Sequence, residues 1–435
     1  MIALDPGADL FPLIAAVLAA GSCALLGNYL VLRRLSLMGD AISHSVLPGL
    51  VAAFLVTGSR ASMPMLFGAA AAGLLTVVLV GAVRRLTRVE PGAAMGVVFT
   101  ILFALGVLML AYVPHEIDLD TDCLLHGQLE ALYWHDAPAS WGEALSPAAI
   151  AAAPRQVVTL LVTAVAVGVL VGAFYKELRI AAFDPSHATA LGVPAGLLHA
   201  LLMIAVAATT VACFEAVGSI LVIAMLIVPA ATARLMTDRL GSQIAVSLLV
   251  GIAAAITGYL ASFQLPGVFD AQPVNAAGSI TVVLGISLTL TLVAGPKHSV
   301  IARMRRRRSI AKTITSDDLL GLLYRAEEAG EPGVRFADLR AIPRLTAAVV
   351  PADRAGLVTH KDDRVSLTEH GRRQAASLIR RHRLWEHYLV EHVGLAPDHV
   401  HDQAEKLEHI HARPDGDTPQ DPHGRRIPPA PRGNH

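Results

Sequence analysis

The sequence predicts an all-α polytopic membrane protein of about nine transmembrane helices, N-terminus out and C-terminus in, carrying a soluble winged-helix domain with helical metal-binding segments at its C-terminus. Three observations predict it. The 435 residues are 54% hydrophobic and only 16% charged, with a mean hydropathy of +0.54, whereas charged residues make up about a quarter of an average soluble protein. Apolar runs long enough to cross a hydrocarbon core of about 30 Å recur along the first two thirds of the chain. At Lys297 those runs stop, and 12 of the 18 histidines lie beyond it.

The runs lie near 10–31, 41–57, 65–83, 94–113, 157–175, 194–213, 214–233, 244–261 and 278–295. The sixth and seventh form one long stretch around Cys213, Phe214 and Glu215, so eight or ten spans are the alternatives. The N-terminal MIALDPGADL has no basic region before its apolar stretch and does not read as a cleavable signal peptide. Cytoplasmic loops carry excess Lys and Arg. Placing the N-terminus outside puts Arg33, Arg34, Arg84, Arg85, Arg88, Lys176, Arg179, Arg234, Arg239 and the 297–308 cluster inside, and only Arg60 and Arg155 outside. The loop 114–154 then faces out, with His115, Glu116, Asp118, Asp120, Asp122, His126, His135 and Asp136. It reads as a solvated loop whose acids and imidazoles could gather cations.

These features divide the chain into a transmembrane domain 1–298, a basic linker 299–312, a winged-helix domain 313–411 and a tail 412–435. The tail is rich in Pro, Asp, Gly and Arg and is expected to be disordered. The run RMRRRRS directly after the last span reads as an anchor to anionic membrane lipids. Lys+Arg and Asp+Glu balance at 35 each, so net charge says nothing about nucleic acid. Cys23, Cys123 and Cys213 are too scattered for a disulfide framework or zinc ribbon. No G-x-x-x-x-G-K-[ST] loop occurs, so the chain is not expected to bind or hydrolyse ATP in the Walker manner.

Ionisable residues inside a span are costly and mark candidate sites. Asp40 and His44 are four residues apart, hence on one helical face, and a carboxylate with a neutral imidazole can ligate a divalent metal. Alternatively, Asp40 caps its helix and His44 makes an ordinary interhelical hydrogen bond. Glu215 is a second intramembrane carboxylate, lining a path or reaching water at its boundary. Met225 and Met236 read as packing residues. Asp184, Pro185 and Ser186 read as a helix start, with Asp184 as cap and the helix ending at Gly192.

The string RRLSLMGDAISHSVLPGL at 33–50 resembles the signature of the ABC-3 family of manganese, zinc and iron permeases. FDPSHATALGV at 183–193 resembles that family's cytoplasmic coupling segment, and AVGSILVIAMLIVPAATARL at 216–235 its late helix pair. The resemblance implies a homodimeric, multi-pass permease of the cell (inner) membrane, two copies of a separate ATPase and an extracellular metal-binding protein. On that reading Asp40, His44 and Glu215 serve the transport path, and Phe183, Asp184, Ala188 and Gly192 couple to the ATPase. The cargo is Mn2+ as first choice, with Zn2+ or Fe2+ as alternatives.

From Ser316 onward the pattern is three helices, two short strands at 357–360 and 364–367 joined by Lys361, Asp362 and Asp363, then a long helix, the order of a winged helix. His382 and Glu386 share one helical face, and His401, Glu405, Glu408 and His409 share another. Residues 367–410 resemble the iron- and manganese-dependent repressors of the diphtheria-toxin-repressor family. That resemblance implies a regulatory metal site of His382, Glu386, His401, Glu405, Glu408 and His409, with Asp318 from the first helix. Glu405 stands where manganese-type members have glutamate, and Gly321 where a second first-helix carboxylate is expected. The helix expected to read bases, near 345–355, offers mostly Ala and Val plus Pro351 rather than Arg, Lys, Asn or Gln, so DNA binding is not expected. The competing class is a membrane-tethered, metal-responsive transcription regulator, supported by the winged helix and the 303–308 arginines.

Overall fold

The computed structural model describes residues 6–35, 37–58, 62–87, 89–112, 127, 129–132, 153–268, 272, 274–407 and 418–429. It forms two compact units, Met1–Ala302 and Arg303–His435.

Among the described residues, nine helices of the first unit are long and apolar enough to cross a membrane. They are α1 (Pro6–Leu32), α2 (Met38–Thr57), α3 (Ser62–Thr87), α4 (Pro91–Leu110), α5 (Arg155–Ala173), α8 (Ala195–Val217), α9 (Ser219–Met236), α10 (Leu240–Val268) and α11 (Ala276–Ala294). Two short helices, α6 (Tyr175–Phe183) and α7 (Pro185–Ala190), lie between the fifth and sixth of them. The expected break between the sixth and seventh spans shifts from Cys213 to Gly218, whose φ of 77° favours glycine. Gly127 packs against the same point, since a Cβ there would lie 2.4 Å from the Val217 carbonyl carbon.

Lipid tails are as apolar as the side chains, so these helices associate by close packing and a few internal hydrogen bonds. Gly49 of α2 faces Gly68 of α3 so closely that a Cβ on Gly49 would lie 2.1 Å from the Gly68 carbonyl oxygen. Asn28 of α1, fully buried, donates from Nδ2 to Ser247 Oγ of α10 at 2.7 Å, and Tyr259 of α10 donates to Asp9 Oδ1 of α1 at 2.8 Å. α1 thereby packs against α9 and α10 at the centre of the unit, while α2 packs against α3 and α4.

The second unit has the predicted winged-helix order. The basic stretch belongs to α12 (Val300–Glu328), a continuous helix whose second half buries Leu319, Leu320 and Leu323 against the domain core. There follow β1 (Val334–Arg335), α13 (Phe336–Leu339), α14 (Pro343–Arg354), β2 (Val358–Lys361), β3 (Arg364–Leu367), α15 (Glu369–Glu391) and α16 (His401–Leu407). The sheet has three antiparallel strands in the order β1-β3-β2, one more than the sequence showed, because β1 is only two residues long. Asp362 and Asp363 turn the wing with φ of 48° and 60°. Pro351 sits well inside α14, which continues three residues past it. Thr368 caps α15 by accepting from the Gly371 amide at 2.9 Å, and a Cβ on Gly371 would overlap the Leu357 backbone.

The tail departs from the expected disorder at 418–429. Asp421 Oδ1 accepts from the amides of His423 and Arg425 at 3.0 and 2.7 Å, folding a turn closed by a bridge between Gln420 and Arg426. The turn docks on α15. Arg380 Nη1 donates to the Pro428 carbonyl at 2.6 Å, and Ile427 is buried. Buried Arg383 pairs with Glu328 of α12 at 2.6 Å and lies 3.6 Å from Asp421. Composition signalled disorder, but a buried arginine needs several acceptors, and the tail supplies them.

Candidate functional site

Asp40 is in the first turn of α2 but does not cap it; Leu37 is the N-cap and no side chain bonds there. Its carboxylate turns along the helix to His44, with Oδ1 and Nε2 3.3 Å apart. Both side chains are about one third exposed, and the imidazole lies among Phe99 and Phe103 of α4, with ring centroids at 5.8 and 5.9 Å. The arrangement offers one hard oxygen and one nitrogen on a face that is otherwise apolar. Two donors leave most of a divalent ion's coordination shell to water or to other groups. Glu215 is exposed in the last turn of α8 and accepts from Gln156 Nε2 at 3.3 Å.

The segment before α8 folds as its residues predict. Asp184 is the N-cap of α7, its Oδ1 accepting from the Ser186 and His187 amides at 3.0 and 2.9 Å, with Pro185 in the first turn. Ala188 is fully buried, Phe183 is exposed, and Gly192 takes a φ of 80° just past the helix. α7 is thus a short helix with a capped start and one buried side chain, and exposed Phe183, the last residue of α6, lies just before its cap.

In the second unit, three predicted ligands converge. His382 Nε2 lies 3.1 Å from Glu386 Oε1 and 3.0 Å from His401 Nδ1, which in turn lies 2.9 Å from the same Glu386 oxygen. It is the one group of three or more potential metal ligands found among the described residues. His382 and Glu386 are buried on α15, whereas His401, at the start of α16, is 48% exposed and leaves one side open. Three lone-pair atoms meeting at a point need protons or a cation between them. Burial would raise the Glu386 carboxyl, but hydrogen bonds and charge from His382 and His401 outweigh it and bring the pKa down to about 2. The carboxylate is therefore ready to ligate at any physiological pH. Two imidazoles and a carboxylate suit manganese, iron or zinc.

The remaining predicted ligands stay apart. Asp318, on α12, lies 3.9 Å from Arg344 rather than in the cluster, and Glu405 is exposed on α16. Glu408 and His409 fall outside the described residues. Sequence reasoning missed two basic features. Arg383 was not distinguished from the other arginines of α15, and Arg33, Arg84 and His199 meet around a cavity although they are far apart in sequence. Only the clustering of arginines at span ends hinted at the second.

Residues 10–137 and 147–294 match the family described as "ABC 3 transport family". The chain belongs to that family. Among ABC 3 members, the "Manganese transport system membrane protein MntD" of Bacillus subtilis (strain 168) is 40% identical over 296 residues, covering 68% of this chain and 95% of that one. The "Zinc transport system membrane protein TroD" of Treponema pallidum (strain Nichols) is 34% identical over 297 residues, covering 68% and 77%. Of solved structures, "PsaBC from Streptococcus pneumoniae in complex with Fab" superposes with a TM-score of 0.53 at 27% identity, covering 66% of this chain and 92% of that one. Outside the ABC 3 region, residues 368–414 match "Iron dependent repressor, metal binding and dimerisation domain". That match contains all three residues of the converging cluster.

Proposed function

We propose that this chain is the membrane permease subunit of an ABC importer for a divalent transition metal, manganese first, and that its C-terminal domain senses the imported ion. The observation that carries the reading is the Asp40–His44 pair, 3.3 Å apart on one face of a membrane helix, in a chain of the ABC 3 family. An ion stripped of water needs such donors, and a site of only two protein ligands can also release it. Manganese and zinc relatives both support metal as cargo, and the 40% identity of the manganese relative against 34% for the zinc relative puts manganese first.

The energy comes from a separate ATPase that engages α7, and the ion from an extracellular metal-binding protein, with a second copy of this chain completing the pathway. The capped α7, with Ala188 buried against neighbouring segments, suits transmission of movement. The His382–Glu386–His401 cluster is the sensor: a cation would bridge α15 and α16 where the donors already converge. The Asp40→Asn and His44→Ala variants test the transport assignment. Each is expected to abolish accumulation of radioactive manganese while remaining in the membrane with its ATPase. Uptake at the unmodified rate by both variants, at normal expression, rejects it.

A further inference from the structure

A cavity of about 470 Å3 opens where the C-terminal ends of α1 and α3 meet the start of α8 and one side of α7. Its polar lining comprises Arg33, Arg84 and His199 together with Ser186 and Thr189 of α7. Among the described residues, no carboxylate lines it. Arg33 Nη1 lies 2.7 Å from His199 Nδ1, and its Nη2 donates to the Ala181 carbonyl at 3.1 Å, while its buried Nε has no partner. Because a guanidinium only donates, Nδ1 accepts and the ring proton sits on Nε2, so His199 is also a donor. Arg84 has no carboxylate partner among the described residues.

Positive groups gathered without a counter-charge beside several free donors call for an anion. Two features decide which anion. The cavity lies where membrane spans end, on the side that the arginine distribution marks as cytoplasmic. Leu35 lines it, and Leu191 and Leu197, within two residues of lining Thr189 and Gly196, are exposed apolar side chains. A ligand with a phosphate and acyl chains meets both, and basic pockets between spans at the cytoplasmic face are suited to such headgroups. We propose that this cavity binds the phosphate of an anionic phospholipid, joining the ends of α1 and α3 to α7.

The test uses the purified full-length chain, with its thermal midpoint measured in phosphatidylcholine nanodiscs containing increasing phosphatidylglycerol. Arg84→Gln removes a cavity charge that has no carboxylate partner among the described residues. Arg239→Gln, exposed and outside the cavity, removes a charge from the same membrane side. Phosphatidylglycerol is expected to raise the midpoint of the unmodified protein and of Arg239→Gln alike. Arg84→Gln should need about fivefold more lipid for half the effect, the factor for one basic residue worth about 1 kcal/mol. Native mass spectrometry of co-purified lipid gives the same comparison if Arg84→Gln lowers the midpoint by itself. An unchanged lipid response in Arg84→Gln, or an equal loss in Arg239→Gln, overturns the site. An equal stabilisation by millimolar inorganic phosphate alone overturns the lipid as its occupant.

Discussion

Replacing Glu386 by glutamine keeps the side chain's shape and removes the only formal negative charge in the His382–Glu386–His401 cluster. Two separate losses follow. For metal, a four-ligand structural site is worth about 10–16 kcal/mol, or roughly 3 kcal/mol per ligand, so losing one weakens binding on the order of 100-fold. Without metal, the carboxyl is held near 2 in the folded protein, below the ordinary value of about 4.3. Between those values the unfolded chain binds more protons than the folded one, so this contribution is full above about pH 5 and fades as pH falls towards 2. Two pKa units amount to about 3 kcal/mol, and the group is only 3% exposed, so solvent screening discounts little of it. The assay is manganese binding, by electron paramagnetic resonance of the free ion, to the full-length protein carrying Asp40→Asn to silence the membrane pair. Acid unfolding of the metal-free protein gives the second arm. The control is His387→Ala, one residue from Glu386 but facing Glu391 at 3.5 Å, which should leave manganese affinity unchanged. If Glu386→Gln binds manganese as the parent does, or His387→Ala loses as much, the cluster is a packing motif and the argument fails.

Asp184→Ala should leave two amides at the start of α7 without an acceptor, costing the helix about 1 kcal/mol, and should lower the ratio of metal transported to ATP hydrolysed in proteoliposomes. An unchanged ratio, also in Ala188→Pro, removes α7 from coupling. The membrane orientation is checked by cysteines at Ser140 and Ser309 in a background with the native cysteines replaced. An impermeant thiol reagent added to intact cells should label Ser140→Cys and spare Ser309→Cys; labelling of Ser309→Cys reverses the topology.

Much of the architecture was legible because its causes are local. Hydropathy over about 20 residues marks a span, so all nine were found. Asp184 before Pro185, and Asp362 beside Asp363 between two alternating runs, encode a cap and a turn within a few residues. The Asp40–His44 and His382–Glu386 pairs follow from helical periodicity alone. What escaped depends on contacts between distant segments. Gly218 breaks a run that hydropathy shows as continuous, and its position is set by backbone conformation rather than by polarity. β1 exists only because Val334 meets Val365 across 31 positions. Asp318 carries the residue type of a ligand, yet spacing within α12 could not show that its side chain would face Arg344. The cavity residues Arg33, Arg84 and His199 come from three span ends that only the folded bundle assembles.

The turn at 418–429 changes what it costs to bring His382, Glu386 and His401 together. α16 is joined to α15 through the short connection around Pro397–His399, and the chain beyond it returns to α15 through Arg380 and Arg383. A ligand helix tied to α15 only through its preceding connection searches a wide volume before His401 finds His382 and Glu386; one whose chain is tied to α15 again further on searches a smaller one. The entropy of that search is spent when the domain folds rather than when the ion arrives. On the proposed sensing role, an arriving ion then meets donors already gathered. Removing 418–435 would slow and weaken capture without deleting any of the three converging ligands.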